Sequence, residues 1–300
     1  MFKKIKQFMN KESVAGYIFI LPFIIGFLWF TLIPFITSFY LSFTDYDLLS
    51  APEWVGIGNF KRMFMEDELV WTSLGVTFKF AIIQVPIKLG FSLFVAILLN
   101  RKTKAVGIYR VVFYIPSLMG GSVAIALLWK QMFNYRGVLN DVLASFNIEP
   151  VNWLGNTKTA LGVLILLGVW QFGSSMLIFL AALKNIPSTY YEAAVIDGAG
   201  KIACFSKITL PMITPILFFN LIRQIISSLQ AFNSSFLITS GGPLNSTLYY
   251  GVHLYNRAFK YFEMGYGSAL AWFLLVIIAI LTALVFKSSS AWVYYETEVK

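Results

Sequence analysis

Long apolar runs separated by short polar segments fill the chain, at 14–39, 80–99, 111–128, 161–183, 212–238 and 270–286. A bilayer-spanning helix needs about 20 mostly apolar residues to cross roughly 30 Å of hydrocarbon. Each run therefore predicts one membrane span, and together they predict an all-α membrane protein with six transmembrane helices. The layout is a short leading segment (1–13), a membrane domain (14–287) and a short tail (288–300), with no stretch left for a separate soluble domain. The first run follows Lys3, Lys4, Lys6 and Lys11, as the core of a signal peptide would. Its length and the lack of a small-residue cleavage site predict a retained helix instead.

Composition supports a membrane protein: 58% of residues are hydrophobic and 12% charged, with mean hydropathy +0.73. Soluble domains carry about 25% charged residues. The net charge of +9 is accounted for by orientation. With both termini in the cytoplasm, the inner segments collect Arg101, Lys102, Lys104, Arg110, Lys184, Lys201, Lys207, Lys287 and Lys300 besides the leading lysines. The acidic residues Asp45, Asp47, Glu53, Glu66, Asp67 and Glu68 fall in the first outer loop, a bias that fits the positive-inside rule. Basic residues spread over membrane flanks do not form a nucleic-acid footprint. The single cysteine, Cys204, excludes an internal disulfide framework.

The segment 190–215, YYEAAVIDGAGKIACFSKITLPMITP, lies between the fourth and fifth runs, on the cytoplasmic side in this orientation. Ser188 is an expected N-cap for a short helix ending near Ile196, and Asp197-Gly198 supplies a turn. A second short helix is expected over 201–208, with Pro211 opening the fifth span. The GAGK at 198–201 fails as a phosphate loop: Val195 stands where glycine is required, and Ile202 where Ser or Thr is.

Glu192-Ala193-Ala194, Asp197-Gly198-Ala199, Phe205 and Leu210-Pro211 resemble the coupling loop (188–210 here) of ATP-binding-cassette importers. The likeness continues through 18–47, VGIGNFKRMF at 55–64, 113–140 and 236–272, and is strongest to carbohydrate-type permeases of the maltose and glycerol-phosphate group. Ala203-Cys204 departs from the larger or polar residues usual before Phe205. The resemblance implies a type I importer permease bundle. Its implied partners are a second homologous permease, two ATPase subunits, an extracytoplasmic solute-binding protein and membrane lipid. It also implies that ATP and Mg are bound by the ATPases and that this chain, which has no cofactor of its own, is not an enzyme.

Polar groups inside a bilayer are costly and usually face protein or a watery path. On the fifth helix, at 100° per residue, Asn220, Arg223, Gln224, Ser227, Ser228, Gln230, Ser234 and Ser235 share one arc, opposite an apolar face. The fourth helix carries Gln171, Ser174 and Ser175 beside Trp170. By resemblance, translocation contacts fall on Gln171, Ser174, Gln224, Ser227, Ser228 and Ala231. Hydrogen bonding between helices is the competing reading. Lys88 and Arg223 add two cations near mid-span, and no carboxylate occurs in any of the six apolar runs. Their counter-charge could be a carboxylate of the partner permease, a lipid phosphate, or an acidic group on the substrate. His253, the sole histidine, lies among aromatic residues and is expected in an interfacial belt.

The expected function is one half of the pathway of an ATP-driven, binding-protein-dependent importer in a bacterial cell membrane. The cargo is expected to be an oligosaccharide, with uronic-acid-containing sugars among the candidates. A secondary transporter, or a permease for a polyol or glycerol phosphate, is the alternative.

Overall fold

The computed structural model describes residues 12–101 and 105–294, with backbone alone for 12–15 and 18. Lys3, Lys4, Lys6, Lys11, Lys102, Lys104 and Lys300, used in the charge argument, lie outside the described residues. The chain divides into two compact units, 1–66 with 254–274, and 67–253 with 275–300.

In the first unit, α1 (Glu12–Phe27), a π-helical turn (Leu28–Leu32) and α2 (Ile33–Leu41) run on from one another. Residues Phe19–Leu41 are long and apolar enough to cross a membrane, and none of their most apolar stretch is buried, as befits a surface for lipid. A two-residue hairpin, β1 (Thr44–Asp45) against β2 (Glu53–Trp54), and α3 (Gly58–Met65) follow. Buried Asn59 secures them, donating through Nδ2 to the carbonyls of Ser42 (3.0 Å) and Thr44 (2.9 Å). Arg62 and Arg257 converge on Glu263, at 2.7 and 3.3 Å.

The second unit is built on α4 (Glu68–Leu99), a 32-residue helix capped by Asp67, whose side chain accepts from the Leu69 N–H. It begins a full dozen residues before the predicted span, so Glu68 and Lys79 belong to the helix. At the positions of the third and fourth predicted spans stand two sharply bent helix pairs. Helix α5 (Val106–Met119) meets α6 (Val123–Met132) at 99°, and α8 (Ala160–Trp170) meets α9 (Gly173–Lys184) at 42°. Gly120-Gly121 provides the first elbow, and Ser122 caps the new helix through its Oγ. The short α7 (Val138–Ser145) lies between these two pairs. Helices α8 and α9 both pack on α4. Among the described residues four helices meet the length and hydropathy of a membrane span, and up to six spans result if each bent pair counts as one.

Three further sequence expectations change. Ser188 is the first residue of α10 (Ser188–Ile196), and Pro187 stands at its N-cap with no side-chain cap bond. The expected second short helix is not separate: α11 (Lys201–Cys204), a π-helical turn (Phe205–Thr209) and α12 (Leu210–Leu229) form one helical column of 29 residues. At the other end α12 stops at Leu229 rather than 238. A π-helical turn (Ser235–Thr239), α13 (Tyr250–Tyr255), another π-helical turn (Asn256–Lys260) and α14 (Met264–Ser289) complete the order. Beyond α14 the chain folds back on α12: Trp292 meets the edge of Phe218, and the Tyr294 N–H donates to Thr214 Oγ1 at 2.9 Å.

Candidate translocation cavity and coupling knob

A cavity of about 450 Å³ opens within the second unit, where α4, α12 and the breaks of the two bent pairs come together. From α4 it takes Phe80, Gln84 and Lys88. The α5–α6 elbow contributes Gly120, Gly121 and Ser122, and the α8–α9 break contributes Gln171. The end of α12 and the segment after it add Gln224, Ser227, Ser228, Gln230, Ala231 and Asn233. Amides and hydroxyls share the wall with apolar side chains such as Phe80, Leu164, Leu167 and Phe232, and much of it forms where helices stop. Helix ends expose backbone groups that a bilayer cannot satisfy, so such breaks suit protein or a watery path.

Amide side chains tie the wall together. Ser228 Oγ donates to Gln84 Oε1 at 2.8 Å, and Gln224 Nε2 donates to Ser175 Oγ at 3.1 Å. Gln171 Nε2 donates to the Gly120 carbonyl at 3.1 Å. A Cβ on Gly120 would lie 2.1 Å from Gln171 Cδ, so a larger residue there must push the Gln171 side chain out of its present place.

Of the sequence-predicted pathway residues, Lys88, Gln171, Gln224, Ser227, Ser228 and Ala231 line the cavity. Three do not. Asn220 is fully buried one turn below Gln224; its Nδ2 donates to the Ile216 carbonyl and its Oδ1 has no partner. Ser174 is held through its backbone N–H, which donates to Ser117 Oγ on α5. Arg223 lies along the flank of α12, its guanidinium 5.9 Å from the exposed Phe219 ring. The single polar arc thus resolves into a buried stripe, Asn220–Gln224–Ser228, and an exposed edge. The helix itself ends at Leu229, so Ser234 and Ser235 do not continue the arc, yet Ser234 still lines the cavity while Ser235 is buried. Gln84 and Ser175 were missed as site residues. A lone glutamine in the apolar run of α4, one turn before Lys88, was the available signal.

His253 is not a belt residue. It is buried, with Nε2 3.0 Å from Oδ2 of buried Asp67. Among the described residues no group of three or more His, Cys, Asp or Glu could hold a metal ion.

At the far end of α12, α10 ends in a reversal at Gly198, whose φ is +79°. The Gly198 N–H donates to the Val195 carbonyl (3.0 Å) and the Ala199 N–H to that of Ala194 (2.8 Å). This closing pair is the Schellman pattern, which favours glycine at the left-handed position. Glu192, Ala193, Asp197 and Gly198 are exposed, Ala194 and Ala199 half-buried. Val195, Ile196 and Ile202 present 66, 86 and 85% of their surface to solvent, so the tip is apolar and exposed. Phe205, Leu210 and Pro211 are half-buried at the root, and Tyr191 Oη meets Thr209 Oγ1 at 2.8 Å, bracing the knob on the column.

A bundle of apolar, partly broken helices with a part-polar cavity at one place and a braced, apolar-tipped knob at another defines a membrane permease. The chain belongs to the family of binding-protein-dependent transport system inner membrane components, whose model matches residues 88–294. It is 54% identical to the probable ABC transporter permease protein YesP of Bacillus subtilis, over 97% of this chain and 95% of that one. It is 33% identical to the lactose transport system permease protein LacF of Rhizobium radiobacter (92% and 94%) and 32% identical to the arabinooligosaccharides transport system permease protein AraP of B. subtilis (95% and 92%). Among solved structures, a bacterial alginate ABC transporter crystallised with an alginate pentasaccharide-bound periplasmic protein has a chain of the same fold. Its TM-score is 0.81 at 21% identity, with 96% of each chain covered. The chain is accordingly a multi-pass inner-membrane transport subunit of the ABC permease class and not an enzyme.

Proposed function

We propose that the chain forms one half of the translocation pathway of an ATP-driven importer whose cargo is an oligosaccharide bearing acidic sugars. The relatives named for lactose and arabinooligosaccharide transport favour a saccharide. The observation that carries the acidic reading is Lys88: it lines the cavity among amides and hydroxyls, and among the described residues no carboxylate lines that cavity. Amide and hydroxyl groups match sugar hydroxyls, while a half-buried ammonium calls for an anionic partner to offset its desolvation. A cavity of this volume falls within the range of small-molecule sites.

In this reading both termini and the knob at 188–210 lie in the cytoplasm of a bacterial cell. The knob docks on one of two ATPase subunits, which hold ATP and Mg, while a second homologous permease completes the pathway. An extracytoplasmic binding protein delivers cargo to the outer loops. Closure of the ATPases pushes on Glu192–Gly198, and the continuous helix from Lys201 to Leu229 carries the displacement to Gln224 and Ser228. The chain itself biases two conformations through contacts that differ between them.

The test is uptake by the reconstituted complex of uronic-acid-containing and neutral oligosaccharides of equal length, with Lys88→Gln and Arg223→Gln. The expected result is preference for the acidic sugar, lost in Lys88→Gln and kept in Arg223→Gln. Equal transport of neutral and acidic sugars by the unaltered protein would overturn the acidic reading.

A further inference from the structure

A second recess, part basic and part apolar, lies at the knob end of the second unit, apart from the candidate pathway. It is a cleft of about 890 Å³ where α4 ends, α5 begins, and α9 passes into α10. Asn100, Arg101, Arg110, Lys184, Ser188 and Tyr191 line it. Three cations thus face one space, and among the described residues no carboxylate lines it. Arg110 Nε is buried without a hydrogen-bond partner. A buried guanidinium N–H without a partner is costly, so an anion reaching Arg110 Nε satisfies it, and exposed Arg101 and Lys184 at the edge of the cleft add favourable charge.

Position indicates the kind of anion. The cleft sits where membrane-spanning helices end, at Leu99, Val106 and Lys184, so it opens at headgroup depth. Val106 on the same helix as Arg110, with Leu183 and Ile186, lines the same cleft, so an apolar wall and the basic side chains belong to one recess. A phosphate with a hydrocarbon tail satisfies both parts; a free anion satisfies only one.

We propose that this cleft binds the phosphodiester headgroup of an anionic phospholipid, with Arg110 and Arg101 on the phosphate oxygens and an acyl chain along α5. Serine and asparagine at the rim suit the glycerol hydroxyls of such a headgroup. Because Ser188 and Tyr191 belong to the knob helix, a bound lipid also braces the coupling knob against the end of α4. The site is independent of the cargo proposal, and it draws on the proposed orientation only in assigning the lipid to the cytoplasmic leaflet.

The test uses the full transporter complex in nanodiscs of phosphatidylcholine with and without phosphatidylglycerol, the same on both faces, so that an error in orientation does not affect it. Lipid retained through delipidation is counted by native mass spectrometry, and ATPase activity is measured alongside. The expected result is retention of phosphatidylglycerol over phosphatidylcholine, weakened about fivefold for each charge removed in Arg110→Gln and Arg101→Gln. Arg110→Lys should recover part of it. Lys287→Gln, which removes an exposed charge from α14, should leave retention unchanged. If Arg110→Gln does not insert, Arg101→Gln with Lys184→Gln carries the test. Three results would each overturn the proposal: equal loss in Lys287→Gln, which marks a diffuse surface potential; competition by millimolar inorganic phosphate as effective as by lipid, which marks a free-anion site; or cross-linking of Arg110→Cys to an ATPase subunit, which marks a protein interface.

Discussion

Ser228 on α12 donates a 2.8 Å hydrogen bond to Gln84 on α4, joining two helices 144 residues apart in sequence at the wall of the cavity. The bond holds the end of the helix that begins at the coupling knob to the central column of the unit.

Gln84→Leu removes that bond. Interhelical hydrogen bonds in membranes contribute about 0.6–2 kcal/mol, and the freed Ser228 hydroxyl can bond the preceding turn of its own helix. The protein should therefore insert and unfold nearly as before, while uptake falls severalfold. Thermal unfolding in detergent and uptake in proteoliposomes measure the two; parallel loss of both would assign Gln84 to stability alone.

Adjacent glycines separate the elbow's packing from its flexibility. A methyl at Gly120 collides with Gln171, whereas one at Gly121 meets nothing within 4 Å. Gly120→Ala should displace Gln171 and reduce uptake strongly, and Gly121→Ala should be tolerated. Similar uptake by both variants would remove Gln171 from the pathway wall.

At the knob, Gly198→Val places a β-branched residue at φ +79°, a backbone strain of about 1–3 kcal/mol, in a spot with no steric neighbour. Gly198→Asn, which accepts the left-handed region more readily, should be milder. Glu192→Lys reverses an exposed charge without altering the fold. Each should weaken the link between ATP hydrolysis and uptake with normal membrane insertion, in the order Val, then Asn for position 198. Full coupling in Gly198→Val and Glu192→Lys together would exclude the knob as the transmission element.

Removing one member of the buried Asp67–His253 pair should cost about 3–5 kcal/mol, as for other buried pairs. Asp67→Asn with His253→Gln should cost less than the sum of the two single changes, because neighbours sharing a contact are not additive. A double-mutant cycle on the thermal midpoint reads the difference, and strict additivity would mean the 3.0 Å contact carries no net energy.

Much of the candidate site was legible along the chain because its elements are local. The Gly198 turn follows from the backbone needs of one residue, and the alternation of Asn220, Gln224 and Ser228 with apolar neighbours follows from the period of a helix. Hydropathy located the four long apolar helices and both bent pairs, yet it placed breaks poorly. Gly120-Gly121 and the end of α12 after Leu229 lie inside apolar runs, and an apolar run reads the same whether its helix is straight, bent or finished.

From sequence alone came the membrane class, the apolar runs, the knob with its left-handed glycine, and the polar residues from which a cavity could be made. These depend on composition, period and single-residue backbone preference, all of which act within a few turns of chain. Only tertiary structure decided that Gln84 joins Ser228, that Ser174 and Arg223 stand outside the cavity, that His253 is buried on Asp67, and that the knob runs without interruption into α12. Those outcomes depend on which helices approach one another and at what angle, and the energies that settle this come from contacts between residues tens to hundreds of positions apart.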